Sequence, residues 1–195
     1  MSEAIQVYLA STSPRRKLLL RQLQVNFHCL NIDVDEACIS NETANDYVVR
    51  MAVSKALAGW HHHDRKHDLP VIGADTTIEM TGEIIGKPES AKHAIQILQS
   101  LSGNTHRVIT AVSVLNGRKK LSAVNSTEVS FRKLSDAEII NYVHTGEPLD
   151  KAGAYAIQGL GAIFVNHLAG SYTGVMGLPL FETSELLESM AVNII

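Results

Sequence analysis

Ser11, Ser13, Arg15 and Arg16 bring two hydroxyls and two guanidiniums to one turn of chain. Ser13 in the N-cap position and Pro14 in the first helical position mark a helix start, just after a short apolar strand over residues 6–10. A helix N-terminus offers unpaired backbone N–H groups and partial positive charge. Guanidinium takes phosphate oxygens in pairs. The cluster therefore reads as a phosphate site, or as a capped helix with solvated arginines. Asp75 follows the apolar run 69–74, where the strand is expected to stop. Ligands of open α/β sheets gather at such strand ends. Asp75 is there a general base, a metal ligand or an ordinary turn aspartate. Lys55 shares a helical face with Val48, Met51 and Ala52, at i+7, i+4 and i+3 spacing. A lysine on an apolar face needs a buried carboxylate, a bound phosphate, or a stem that reaches solvent. Glu36, with Asp33 and Asp35, forms an acidic stretch that holds Mg²⁺ through one or two carboxylates or stays a solvated turn. Lys87 points at a phosphate from the loop Gly86-Lys87-Pro88.

Several motifs carry no chemistry. Gly82-x-x-x-Gly86-Lys87 lacks one spacer and the hydroxyl residue of a Walker A loop, and it follows a turn instead of opening a helix. Gly159-Leu160-Gly161 lacks the third glycine of a dinucleotide fingerprint, with Phe164 in its place. His61, His62, His63 and His67 lie in a polar tract expected to be flexible, without the second shell that fixes a metal ligand. What remains is a set of cations, Arg15, Arg16, Lys55 and Lys87, with the carboxylates Glu36 and Asp75. That mixture suits Mg²⁺-dependent phosphoanhydride chemistry: cations neutralise phosphate, the ion bridges its oxygens, and a carboxylate orients or deprotonates water.

The elements that must position these residues are legible in outline. A second strand is expected over 25–33, and a helix over 41–59 with Thr43 near its cap. A hairpin over 76–88 turns at Thr81-Gly82-Glu83. Ser90 caps a helix that Gly103 stops. Two long strands, 106–115 and 120–131, join at Asn116-Gly117, a strong hairpin signal. Ser135 and Glu138 form a capping box for a helix running to Thr145. A last helix starts near Pro179. Six of the thirteen glycines lie between Gly153 and Gly177, so that stretch is expected to be turn-rich. Helices and strands alternate and also pair in hairpins, which predicts an α/β or α+β fold with one mixed, twisted sheet.

Composition limits the function classes. The 195 residues are 45% hydrophobic and 19% charged, enough to bury ~70% of the unfolded surface without a structural metal or disulfide. Seventeen Lys and Arg against twenty Asp and Glu exclude a strongly basic nucleic-acid binder. Two cysteines, Cys29 and Cys38, form neither a disulfide framework nor a zinc motif. No basic segment followed by an apolar stretch opens the chain, and no run approaches a membrane span. The expectation is a cytoplasmic protein with no membrane or nucleic-acid partner.

Residues 9–16 (LASTSPRR) resemble the S-x-S-P-R-R opening of the Maf family of house-cleaning nucleotide pyrophosphatases. Residues 71–76 (VIGADT), 86–88 (GKP), 101–106 (LSGNTH), 150–159 (DKAGAYAIQG), 170–172 (GSY) and 177–179 (GLP) resemble further motifs of that family, in its order. The resemblance runs from about Val7 to Leu187. It implies a single domain over 1–195, elongated like inosine-triphosphatase-type proteins, with a long mixed sheet flanked by helices and a cleft between two lobes. It implies hydrolysis of a nucleoside triphosphate to the monophosphate and pyrophosphate, with Mg²⁺ or Mn²⁺, by a homodimer. Asp75 then matches the general base and, with Glu36, the metal site. Ser11, Ser13, Arg15, Arg16, Lys55 and Lys87 match the phosphate-binding set, and Arg15, Thr76 and Gln158 the positions that tune base choice. The stretch around Gln158 resembles the dTTP and UTP subgroup, and an amide offers a pyrimidine edge both donor and acceptor. Ala156 stands where that subgroup has glycine, and Thr77 where an aliphatic residue is commoner. The rival readings are a pyrophosphatase for 7-methyl-GTP or deaminated purines, and a nucleotide-binding regulator of septum formation that does not hydrolyse.

Overall fold

The computed structural model describes residues 4–194. Its sheet has the order β2-β1-β3-β5-β6-β7, with β4 on the side of β3 away from β5. The strands are β1 (Val7–Leu9), β2 (Phe27–Cys29), β3 (Val71–Met80), β4 (Glu83–Ile85), β5 (Thr105–Asn116), β6 (Lys119–Phe131) and β7 (Val165–Ala169). The helices are α1 (Pro14–Gln22), α2 (Ala44–Trp60), α3 (Ala91–Leu101), α4 (Asp136–His144), α5 (Tyr172–Met176) and α6 (Leu180–Glu188). β1 pairs β2 and β3 in parallel, and every other pairing is antiparallel. This is the mixed sheet flanked by helices that the sequence predicts.

Local signals set many boundaries. The hydroxyls of Thr43, Ser90 and Ser135 accept the N–H groups of Asp46, His93 and Glu138, which caps α2, α3 and α4. Ser135 and Glu138 make the full capping box. Gly117 takes φ +61° in the β5–β6 turn, as the hairpin dipeptide requires. Ser13 holds the cap position of α1, but its side chain makes no capping bond; its N–H instead donates to Ser11 Oγ at 3.2 Å.

Three expectations need correction. β3 does not stop before Asp75: it runs ten residues, with Asp75 opposite Ala111 and Glu79 opposite Arg107 on β5. The partner strand, not the local sequence, carries the ladder through the aspartate. β2 is confined to three residues, the length that β1 can pair. The glycine-rich stretch holds β7 and α5 besides its turns.

Alternation along β3 sorts its side chains between two layers. Ile72, Ala74 and Ile78 join the main core with residues of α1, α3, α4 and α6. On the other face, α2 packs Val48 and Ala52 against Ile109 and Ala111 of β5. Gly73 lies under α2. A Cβ there would sit 2.2 Å from the Ala52 carbonyl oxygen and 2.4 Å from the Ala56 nitrogen, so only glycine lets the helix backbone come this close.

Candidate active site

On its edge away from β5, β3 pairs β1 at Val71 and Ile72 and β4 from Ile78 onward. Between them, residues 73–77 have no strand partner on that side among the described residues. A cleft of ≈ 680 Å³ opens at this gap, within the range of about 300–1,000 Å³ typical of small-molecule sites. Because the gap exposes both faces of one strand, the cleft reaches side chains that alternation sends in opposite directions.

On the α2 face, Asp75 meets Lys55. Lys55 Nζ donates to Asp75 Oδ1 at 2.6 Å and to Glu36 Oε1 at 2.7 Å. Lys55 and Asp75 are each 7% exposed. Of the readings open for Lys55, the structure shows the buried carboxylate partner, here two of them. Lys87 Nζ reaches Glu36 Oε2 at 3.4 Å from the loop after β4. Burial alone would raise the Glu36 carboxyl; the hydrogen bond and charge of Lys55, with those of Lys87, outweigh it and hold Glu36 below the usual range. The Tyr47 hydroxyl donates to the Glu36 carbonyl at 3.1 Å, and burial followed by the charges of Asp75 and Glu36 pushes its pKa up.

On the opposite face, Arg16 Nε donates to the Gly177 carbonyl at 2.8 Å. Its other nitrogens reach Ser11 Oγ and Thr76 Oγ1, each at 3.4 Å. Thr110 Oγ1 donates to the Gly174 carbonyl at 2.8 Å, so the 2.9 Å contact between Thr76 and Thr110 carries the Thr76 proton. The chain therefore runs Arg16, Thr76, Thr110, Gly174, each donating to the next. Burial lowers the Arg16 guanidinium from its ordinary value, against the charge of Asp75. Arg16 is thus largely committed to protein oxygens, whereas Arg15 has no hydrogen-bond or ion-pair partner among the described residues and borders the cleft.

Ser11, Ser13, Arg15, Arg16, Glu36, Lys55, Asp75, Thr76, Lys87 and Gln158, all candidates from the sequence, line this one cleft. Asp33 and Asp35 do not; the Asp35 carboxylate instead accepts the Ala37 N–H at 2.9 Å. Tyr47, Asp150, Lys151 and Tyr155 also line it and carried no signal in isolation. Five cations against three carboxylates make the cleft an anion site in a chain of net charge −3.

Gln158 sits on a segment that is clamped from behind. Glu147 Oε1 accepts the Tyr142 hydroxyl at 2.8 Å and the Gly161 N–H at 3.0 Å, and Oε2 accepts the Leu160 N–H at 3.0 Å. The Tyr142 oxygen in turn accepts the Ala156 N–H at 3.2 Å. Below it, Tyr155 OH lies 2.9 Å from Nε2 of His106, which is 2% exposed.

Lys55 Nζ occupies the point on which Glu36 Oε1 and Asp75 Oδ1 converge, which leaves Glu36 Oε2 and Asp75 Oδ2 as the oxygens open to an ion. Two hard carboxylates suit Mg²⁺ or Mn²⁺, which complete their shells with substrate and water oxygens. The donor set therefore fits such an ion.

A family model described as Maf-like protein matches residues 6–190. A dTTP/UTP pyrophosphatase of Aromatoleum aromaticum is 52% identical, over 94% of this chain and 94% of that protein. The dTTP/UTP pyrophosphatase of Escherichia coli O157:H7 is 51% identical, over 94% of this chain and 92% of its own. The solved Staphylococcus aureus Ham1 protein aligns at TM-score 0.48 and 15% identity, covering 95% of this chain and 97% of its own.

Proposed function

The chain belongs to the Maf-like protein family, and on that premise we propose that it hydrolyses dTTP and UTP to the nucleoside monophosphate and pyrophosphate. The observation that carries this reading is the Asp75–Lys55–Glu36 group at the floor of a cationic cleft. Relatives at about half identity over nearly the whole chain are dTTP/UTP pyrophosphatases.

The triphosphate lies over the start of α1, where Arg15 and Lys87 have side chains uncommitted enough to take phosphate oxygens. Ser11 and Ser13 add hydroxyls, and Arg16 adds charge from a fixed position. Gln158, with Arg15 and Thr76 nearby, faces the base. Asp75 accepts a proton from the water that attacks the α-phosphorus. The bond to the bridging oxygen breaks, and pyrophosphate leaves with its electron pair. Lys55 holds Asp75 in place before the proton moves. Glu36 and Asp75 would hold Mg²⁺ or Mn²⁺, which supplies charge neutralisation of the phosphates when bound. The whole chain acts as one catalytic unit whose two lobes face each other across the cleft.

We place this enzyme in the cytoplasm as a homodimer acting on free nucleotides. No helix among the described residues is long and apolar enough to cross a membrane. Exposed Leu18, Tyr172 and Phe181 offer apolar surface for self-association, which sedimentation velocity tests.

The test of the function is pyrophosphate release across natural and modified nucleoside triphosphates, with Mg²⁺ or Mn²⁺, for wild type and Asp75→Asn. Removing a general base lowers turnover by roughly 10²–10⁴-fold. Activity highest on dTTP and UTP, and lost to that degree in the variant, is the expected result. A maximum on 7-methyl-GTP or a deaminated purine overturns the substrate choice. Binding without hydrolysis overturns the enzyme reading.

A further inference from the structure

Residues 61–70 connect α2 to β3 and carry His62, His63 and Asp64, whose ligating atoms all lie within 4.8 Å of one another. The sequence suggests a flexible tract without a second shell, but the structure provides both a fixed loop and an oriented imidazole. The N–H groups of Lys66 and His67 donate to the hydroxyl of Tyr8 at 2.9 and 3.2 Å, and Tyr8 is 1% exposed on β1. The Arg65 guanidinium lies 3.5 Å from the centre of the Trp60 ring and bonds Asp68 at 3.0 Å. The loop is thus pinned to buried Tyr8 of β1 and to Trp60 at the end of α2.

His62 Nε2 lies 3.1 Å from the Asn31 carbonyl oxygen. A carbonyl only accepts, so Nε2 carries the proton and Nδ1 keeps its lone pair. The Asp64 N–H donates to that lone pair at 3.1 Å, which agrees with the same tautomer. An imidazole whose far N–H is held by a backbone carbonyl is the orientation that metal-ligating histidines adopt. Asp64 Oδ2 lies 3.9 Å from His62 Nδ1 and 3.5 Å from His63 Nε2.

We propose that His62, His63 and Asp64 form a peripheral site for a borderline divalent cation of the Zn²⁺ type. Two imidazoles, one carboxylate and water complete a tetrahedron. Bond lengths of about 2.0–2.2 Å place tetrahedral ligand atoms about 3.4 Å apart. The Asp64–His63 pair is already near that spacing, and the exposed His63 ring, stacked on His62 at 4.4 Å between centroids, turns to close the remainder. Binding exchanges the Asp64 N–H contact for solvent, at an exposed amide. The nitrogen-rich set selects Zn²⁺ over Mg²⁺, unlike the all-carboxylate pair Glu36 and Asp75. The ion rigidifies a loop whose His62 is bonded to Asn31, in the segment after β2 that leads to Glu36. It stabilises the fold by mass action.

The test uses the full chain stripped of metal and titrated calorimetrically with Zn²⁺ in millimolar Mg²⁺. Wild type is compared with His63→Ala, Asp64→Asn and His67→Ala. The expected result is one Zn²⁺ site weakened at least about tenfold in the first two variants and unchanged in the third. Zn²⁺ also raises the melting temperature of wild type but not of His63→Ala. Melting without Zn²⁺, unchanged by these surface substitutions, shows that the variants fold. No Zn²⁺ binding, or equal affinity in all four proteins, overturns the proposal; the latter means adventitious imidazole or cleft binding.

Discussion

The Lys55 ammonium and the Asp75 carboxylate meet at 2.6 Å across the α2–β3 interface, almost entirely out of solvent. The pair joins the two elements that build the cleft floor, and Glu36 completes it from an exposed segment.

Removing the lysine leaves a buried carboxylate without compensation. Lys55→Met is expected to cost about 3–5 kcal/mol in urea denaturation, and to abolish turnover. Lys55→Met with Asp75→Asn is expected to be more stable than Lys55→Met alone, because the orphaned charge is gone. A double-mutant cycle measures the difference; additive effects of the two substitutions would mean that the pair is not coupled.

Gly73 sets the approach of α2 to β3. A methyl group there meets backbone atoms of Ala52 and Ala56, which have no freedom to rotate away. Gly73→Ala is expected to cost about 1–3 kcal/mol from overpacking. By displacing α2 it also parts Lys55 from Asp75, so kcat falls as well. Wild-type kcat in a stable Gly73→Ala protein would show that the helix position is not critical.

His106 introduces a pH dependence of its own, behind the cleft-lining Tyr155. Burial lowers its pKa to about 4, whereas the unfolded chain titrates near the ordinary 6.5. Below pH 6.5 the unfolded state binds a proton that the folded state refuses. Stability is therefore lost as pH falls from 6.5 towards 4, by about 2 kcal/mol between pH 6.5 and 5. Denaturation of wild type and His106→Gln across that window is the check, and the variant is expected to lose this part of the slope. His106 Nδ1 has no hydrogen-bond partner among the described residues, so the glutamine also tests whether that buried nitrogen costs stability.

Glu147 is expected to act on substrate choice through Gln158 without touching substrate. Glu147→Ala strands the Leu160 and Gly161 N–H groups and the Tyr142 hydroxyl, at about 1–3 kcal/mol for each group that stays buried. The segment carrying Gln158 then loosens. KM for UTP is expected to rise more than kcat falls, with faster amide exchange over residues 156–161. Unchanged exchange together with unchanged KM would remove Glu147 from any positioning role.

Features that depend on neighbours three or four residues away are legible in the residues alone. Thr43, Ser90 and Ser135 start helices because a hydroxyl caps an N–H three positions on, and Asn116-Gly117 turns the chain because glycine tolerates positive φ. The sequence also supplies the candidate residues, since cations and carboxylates suited to phosphate chemistry are identifiable by type. Which of them meet is set by long-range packing. Asp75 sits in mid-strand because β5 continues to pair beyond it, a fact absent from residues 69–75. Lys55 lies between Glu36 and Asp75 because Gly73 admits α2. Arg16 is fixed in place by the Gly177 carbonyl, 161 residues further along the chain. Such contacts are set by strand pairing and close packing between distant segments, and no local pattern of residues encodes them.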